Sequence, residues 1–411
     1  MPDESAAAAP ILQGLRVVEF PAFVAAPLGG LTLAQLGADV IRVDPIGGNI
    51  DIGRWPLNAA GRSLYWASLN RGKRSVEIDV RKPEGRQLLH ELVTAPGEGG
   101  GIFVTNLGVD RELAYEALAK DRPDLIMVQL TGSPDGANAL DYTVNNAVGF
   151  PLITGDPRAV PVNHVAPMWD VAAGLTIAIA VLAAEHRRRE TGEGQHIRLT
   201  LSDIAMSTVS SLGYIAEVEV NDTERQPDGN FLYGAYGDAF ATADGRHVMI
   251  VAISRRQWQA LVKATGMEEA LAQAAKALGY RLDDEGGRYE ARSLISAFFK
   301  PWFAKHTLKE VEAAFGDPAI LWGPYRTVRQ MLAEDPRASE WNPMFRRVDH
   351  PGVGEFLTAT TPLDFSAAQR VAPGVAPQLG QHGPEVLREV LGVDEARYAA
   401  LAAAGVVGPR R

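Results

Sequence analysis

From Leu15 onward, short β-branched runs alternate with stretches of helical periodicity. Arg16-Val17-Val18-Glu19-Phe20 reads as a strand, Pro27 to Leu36 as a helix stopped by Gly37, and Asp39 to Val43 as the next strand. Ser75 to Asp79 repeats the strand pattern, and Pro83 opens a helix running to Val93. Ile102 to Val104 and Leu125 to Val128 continue it, with Asp110 to Lys120 helical between them. Strands alternating with helices predict a parallel sheet with crossover helices, an α/β fold. A long apolar run, Val171 to Ala184, follows Trp169-Asp170. The pattern changes at Asn221 to Gly229, a polar, turn-rich stretch that reads as a linker. Beyond it, Asp238 to Ala243 and His247 to Ile253 flank Asp244-Gly245, a hairpin signal. Helices are predicted over Arg256 to Thr265, Met267 to Leu278, Tyr289 to Lys305 and Leu308 to Phe315, giving a smaller α+β domain. A hairpin around Gly352 to Gly354 and helices at Pro384 to Leu391 and Asp394 to Ala404 close the chain. The expected division is a disordered arm over 1–10, a large domain over 11–220, a small domain with linkers over 221–340, and a return to the large domain over 341–411.

Composition narrows the chemistry. With 411 residues, 46% of them hydrophobic, the chain supports a large core and more than one domain. A formal net charge of -10 argues against a nucleic-acid partner, while leaving room for a local basic pocket. The absence of cysteine excludes disulfides, thiolate metal sites and a cysteine nucleophile. No metal-ligand spacing is seen, and no metal is expected. The first ten residues lack the basic start and apolar stretch of a signal peptide, and the Val171 to Ala184 run is shorter than the roughly 20 residues a bilayer needs. A cytoplasmic protein without a membrane partner is expected.

Familiar site chemistries are mostly missing. The first βαβ unit has the layout of a dinucleotide fold, but its turn, Pro21-Ala22-Phe23-Val24-Ala25-Ala26, lacks the glycines that let a backbone approach a pyrophosphate. No Walker motif and no nucleophile elbow is present. Asn70-Arg71-Gly72-Lys73-Arg74 gathers three cations around a glycine before a strand. Those cations suit ligand phosphates, and equally a solvated charge run. Asp44 ends a strand where ligands of open sheets collect, or where a plain loop begins. His164 reads as an acid/base or as a structural histidine, and Asn163 as a donor to substrate or the closer of a turn. The glycine-flanked aromatics Phe231, Tyr233 and Tyr236 fit a pocket lid or an interdomain connection. Asp170, before an apolar helix, is a favoured N-cap. The same helix end is expected to keep its carboxylate charged, and a charged carboxylate in a partly dry site is a nucleophile towards acyl groups. The residues alone leave both readings open.

The ordered motifs resemble one family. Leu15 to Glu19, Pro27, Leu36-Gly37-Ala38-Asp39-Val40-Ile41-Arg42-Val43-Asp44, Asn70 to Ser75, Thr105-Asn106, Asp170 with Gly174, and Arg188-Arg189-Glu190-Thr191-Gly192-Glu193-Gly194-Gln195 resemble the family III CoA-transferases, over about Leu12 to Gly408. The resemblance implies a Rossmann-like large domain plus a smaller domain, two chains interlocked as a homodimer, and active sites between the large domain of one chain and the small domain of the other. It implies no permanently bound cofactor, CoA arriving as part of an acyl-CoA thioester of a C4–C5 dicarboxylic acid. Asp170 falls on the catalytic aspartate. Phe23, Asp44, Lys73, Arg74, Asn106 and Arg111 fall on positions expected to contact CoA. Val24, Ala26, Asn163, His164 and Tyr233 are candidates for the substrate pocket. The racemases of the family carry a histidine where this chain has Leu140, which argues against two-base proton exchange. Formyl-CoA transferase has a glutamine where Val24 stands and a glycine run where this chain has Asn230 to Tyr233. The expected reaction is intramolecular CoA transfer on a branched unsaturated C4 dicarboxylate, through anhydride and thioester forms of Asp170, with N–H donors at the start of its helix stabilising the oxyanions. An intermolecular CoA-transferase and a non-catalytic acyl-CoA binder are the alternatives.

Overall fold

The computed structural model describes residues 9–109 and 111–410; residues 1–8 of the arm expected over 1–10, and the expected helix start at Asp110, lie outside the described residues. The chain forms two compact units, one holding residues 9–148, His164–Asp222 and residues 336–410, the other Gly149–Asn163 and Thr223–Asp335. The stretch Gly149–Asn163 is an addition to the smaller unit relative to the expected division. A backbone bridge between Gly155 and Gly229 ties it to the linker.

The larger unit is built on six parallel strands: β1 (Arg16–Phe20), β2 (Asp39–Asp44), β3 (Arg74–Glu77), β4 (Ile102–Thr105), β5 (Ile126–Thr131) and β6 (Gln195–Thr200). Their order, β3-β2-β1-β4-β5-β6, is that of a doubly wound nucleotide-binding sheet. The central strands are buried on both faces, so they read as continuous β-branched runs rather than alternating ones. Strand β6 escaped the sequence reading, because polar His196 and Arg198 break its apolar pattern. The connecting helices are α1 (Ala25–Ala34), α2 (Leu64–Asn70), α3 (Pro83–Thr94), α4 (Tyr115–Asp121), α5 (Asp141–Ala147) and α6 (Met168–Thr191), with α7 (Leu201–Ser211) and α8 (Tyr214–Asn221) after β6. The helix predicted from Asp110 begins only at Tyr115, after a 3-10 turn over Arg111–Leu113.

Helix α6 carries the apolar run. At 24 residues it is long and apolar enough to cross a membrane, whereas the run alone is too short. One face is buried, and it meets α1 through small residues. A Cβ on Gly174 would lie 2.9 Å from the Ala25 carbonyl oxygen, and one on Gly29 would lie 2.7 Å from Ile177. These pairings advance together along both chains, so α1 and α6 run parallel at close range. The Arg188 to Gln195 motif is the exit from α6. Arg188 pairs with Glu185 and donates to the carbonyl of Gly100 at 2.7 Å, and Gly192 ends the helix in the left-handed region at φ 75.

The chain returns to this unit through the antiparallel pair Phe345–His350 and Gly354–Ala359, the predicted hairpin, and through the two predicted C-terminal helices, Gly383–Leu391 and Glu395–Ala403. Val386, Leu387, Tyr398 and Val407 join the core beside Val76 and Ile78.

The smaller unit is a three-stranded antiparallel sheet, Tyr236–Ala241, His247–Ala252 and Leu321–Pro324, with the predicted Asp244-Gly245 hairpin between the first two. Several of its helices start where a Ser/Thr-x-x-Glu/Gln pattern supplies a capping box: Ser254 with Gln257, Thr307 with Glu310, and Thr327 with Gln330. The helix predicted over Tyr289 to Lys305 is two, Glu285–Glu290 and Arg292–Phe303, broken at Ala291. An aromatic core of Tyr236, Phe240, Phe299 and Phe303 fills the space between sheet and helices, Phe240 and Phe303 stacking at 4.7 Å.

Candidate active site

Asp170 does not cap α6. The helix begins at Met168, so Asp170 lies inside its first turn, and Pro167 occupies the cap position. The capping is done by another carboxylate, Asp141 at the start of α5. Its Oδ2 accepts the backbone N–H of Trp169 at 2.7 Å and of Asp170 at 3.0 Å. Its other oxygen accepts His164 Nε2, and Trp169 Nε1 donates to Asn145 of α5 at 3.1 Å. The remaining first-turn donors are engaged too: Met168 N–H reaches Ala166 O, and Val171 N–H reaches Pro167 O. The expected oxyanion donors at the start of α6 are therefore occupied. A buried anion from another element has taken the positive helix end that Asp170 was expected to use.

Asp170 titrates accordingly. Burial first, and the Asp141 charge second, push its carboxyl up to about 6, with Arg54 pulling the other way. It is half-buried and makes no ion pair among the described residues. At neutral pH it is mostly a carboxylate, but a poorly solvated one, which raises its reactivity towards an acyl carbon. His164 serves Asp141, and Tyr142 meets the His164 ring edge-on at 5.5 Å.

The loop before α1 stands level with Asp170, because Ala25 and Leu28 pack on Gly174, one helical turn along from it. Phe23 adopts φ 60, a left-handed conformation rare for a bulky side chain, and is half-buried. Asn106 holds this loop by both ends of its amide, accepting from Ala22 N–H and donating to Ala22 O, each at 2.8 Å. Val24 and Ala26 are buried, Ala26 completely, so they contribute backbone and packing rather than pocket surface. No side chain caps α1, which leaves the N–H groups of Ala25 and Ala26 without intrahelical acceptors.

Two of the expected CoA contacts, Lys73 and Asp44, are internal, and a third, Arg74, is partly exposed and paired with surface carboxylates. Lys73 is buried and spends its donors on Glu19 (2.6 Å), Pro27 O (2.7 Å) and Asn70 (3.0 Å). Burial lowers its ammonium to about 8 and raises the Glu19 carboxyl. Asp44 is buried in a bidentate pair with Arg42, which also reaches Asp51 at 3.1 Å. Arg74 pairs with Asp39 and Glu389. Lys73 and Asn70 thus join Glu19 of β1 and Arg42 of β2 in one buried polar network, while Arg74 is paired separately at the start of its strand. Arg111 is exposed at φ 51. Asn163 and Tyr233 belong to the smaller unit, where Arg225 lies 3.9 Å over the Tyr233 ring.

Sequence reasoning missed Asp141 as the helix cap, Arg54 and Tyr65. The Arg54 guanidinium lies 5.7 Å from the Phe23 ring centroid and 5.1 Å from that of Tyr65. An arginine beside a cis Trp55-Pro56 bond carries no local signal of a site.

A model of the family described as CoA-transferase family III matches residues 12–383. The chain belongs to CoA-transferase family III. It is 51% identical over 405 residues to 2-methylfumaryl-CoA isomerase of Chloroflexus aurantiacus, covering 98% of this chain and 99% of that one. It is 28% identical to the succinyl-CoA–D-citramalate CoA-transferase of the same organism, over 96% of this chain and 98% of the relative. Among solved structures, a CAIB/BAIF family protein from Brucella suis superposes with a TM-score of 0.76 at 25% identity, covering 93% of this chain and all of the other. The fold is therefore shared with that solved relative.

Proposed function

We propose that this chain is an isomerase that moves CoA between the C1 and C4 carboxyl groups of 2-methylfumarate, acting in the cytoplasm as a homodimer. The single observation that carries the reading is Asp170, half-buried and unpaired with its carboxyl pushed up to about 6, in a chain 51% identical over nearly its whole length to a 2-methylfumaryl-CoA isomerase. Asp170 attacks the C1 thioester carbonyl and the C–S bond breaks, giving an aspartyl–acyl anhydride and CoA thiolate. The thiolate attacks the aspartyl carbonyl, giving an enzyme thioester and free 2-methylfumarate. The C4 carboxylate then attacks that thioester, forming a second anhydride and again releasing thiolate. Thiolate attack on the new acyl carbon yields the C4 thioester and restores Asp170. One thioester is exchanged for another, so the cycle consumes neither water nor ATP and needs no bound cofactor.

The oxyanions of these steps need donors, and those of α6 are taken. The unused N–H groups of Ala25 and Ala26, at the buried start of α1 and level with Asp170, fill that role in this scheme. Retention of the freed acid makes its return an effectively unimolecular step. Leu140 supports acyl transfer over racemisation, since it offers no proton acceptor beside Asp141.

Incubation with the C1 thioester, followed by hydroxylamine trapping and peptide mass mapping, is expected to mark Asp170. C4 thioester is expected to form without added acid. A strict requirement for added acid would instead favour an intermolecular transferase, and binding without turnover a non-catalytic acyl-CoA binder.

A further inference from the structure

We propose that Arg54 binds the substrate carboxylate that is not carrying CoA, and so keeps the freed dicarboxylic acid in the pocket while CoA rests on Asp170. This deepens the intramolecular reading above and rests on it. Arg54 is held in place by its backbone: its N–H donates to Asp51 O at 3.2 Å, and its carbonyl accepts Ser63 Oγ at 2.5 Å. Ser63 in turn caps α2, accepting Trp66 N–H at 3.0 Å. The guanidinium spans two rings from different elements, Phe23 before α1 and Tyr65 in the first turn of α2. The exposed guanidinium is thus held within cation–π range of two rings, and its forked N–H groups suit a planar acceptor.

Its charge is unspent. Arg42, Arg74 and Arg188 are each consumed by carboxylates, whereas no carboxylate lies within 4 Å of Arg54 among the described residues. The Tyr65 hydroxyl beside it is shut off from solvent, and the Arg54 charge favours its ionised form against burial. Arg54 is close enough to Asp170 for its charge to pull the carboxyl down against burial and Asp141. This is the acyl end of the ligand, a pantetheine arm away from any CoA phosphate. Attack by Asp170 on a dicarboxylic monothioester brings two negative groups together, and a guanidinium at that rim offsets the repulsion. Once CoA has moved to Asp170, the freed acid turns end for end. Its C1 carboxylate takes the place on Arg54, and its C4 carboxylate meets the enzyme thioester. The fork suits either end equally, so Arg54 recaptures the acid after the turn.

The test compares wild type, Arg54→Gln and Arg54→Lys on the C1 thioester, with isotopically labelled free 2-methylfumarate in the medium. Wild type is expected to form C4 thioester with little label. Arg54→Gln is expected to lose about 100-fold in kcat/KM and to admit label, because the freed acid escapes and exchanges. Arg54→Lys is expected to recover part of the rate and of the retention. Label entry is the readout that a merely structural arginine does not move, and an unchanged melting temperature shows that the fold is intact. Arg54→Gln turning over within threefold of wild type, with label still excluded, overturns the proposal. A wild type that works only with added acid overturns the intramolecular reading instead. Arg54 is then judged by the KM for dicarboxylic against monocarboxylic acceptors, which Arg54→Gln must raise selectively for the former; an equal change in both overturns it.

Discussion

Burial and the neighbouring Asp141 hold a proton on Asp170 up to about pH 6. If the carboxylate is the nucleophile, kcat/KM on the C1 thioester rises as pH passes through about 6 and is flat above it. Asp141→Asn keeps an acceptor for the two α6 N–H groups but removes the repelling charge. The acid limb of the pH–rate profile then moves down, by on the order of one pH unit; a limb that stays in place rules out Asp141 as its cause. The same residue has a stability signature. Its folded value lies above the ordinary 3.8, so its contribution to stability is fully present below about 3.8 and is lost as pH rises through about 6. Ionised Asp170 thus costs the fold on the order of 3 kcal/mol at neutral pH. Asp170→Asn is expected to lose at least about 10³-fold in turnover, yet to resist urea better than wild type at pH 7, with the advantage vanishing near pH 4.

At the scale of elements, the approach of α1 to α6 depends on glycine. Gly174→Ala places a methyl 2.9 Å from the Ala25 carbonyl oxygen and 2.8 Å from Leu28, so the helices must separate. A loss of about 1–3 kcal/mol in urea denaturation is expected, with reduced activity, because the same contact sets Phe23 level with Asp170. The polar network under the strand ends is equally demanding. Lys73→Ala strands Glu19 in the core and is expected to cost about 3–5 kcal/mol, measured the same way. These cases show how far motifs are legible. Asn70 to Arg74 and Arg188 to Gln195 stand out in the sequence as patterns, but charge and spacing cannot tell a phosphate clamp from a buried brace. Which one a lysine becomes depends on whether Glu19 and the Pro27 carbonyl meet its ammonium, and those groups are 54 and 46 positions away.

At the scale of the molecule, the larger unit leaves apolar side chains exposed on successive helices: Leu175 and Ile179 on α6, Met206 and Leu212 at α7, and Ile215 and Val218 on α8. Scattered exposure needs no partner, but a run of this kind on adjoining elements is the mark of a covered surface. The proposed homodimer provides the cover. Sedimentation is expected to give a dimer, and Ile179→Glu, which sets a charge at a residue 65% exposed in the single chain, is expected to shift it to monomer with loss of activity. An unchanged dimer in that variant places the interface elsewhere.

The sequence by itself determined five of the six strands of the larger sheet, most of the helices, the hairpin of the smaller unit, and the family motif around Asp170. These follow from local periodicity, turn chemistry and residue order, which need no distant partner. Only the tertiary structure decided what Asp170 is. Asp141, 29 positions earlier, takes the end of α6 and raises the Asp170 carboxyl, while Arg54 comes to the rim through two aromatic rings on other elements. Burial and the charge of neighbours set the reactivity of a carboxylate, and both are properties of the packed chain rather than of any segment of it.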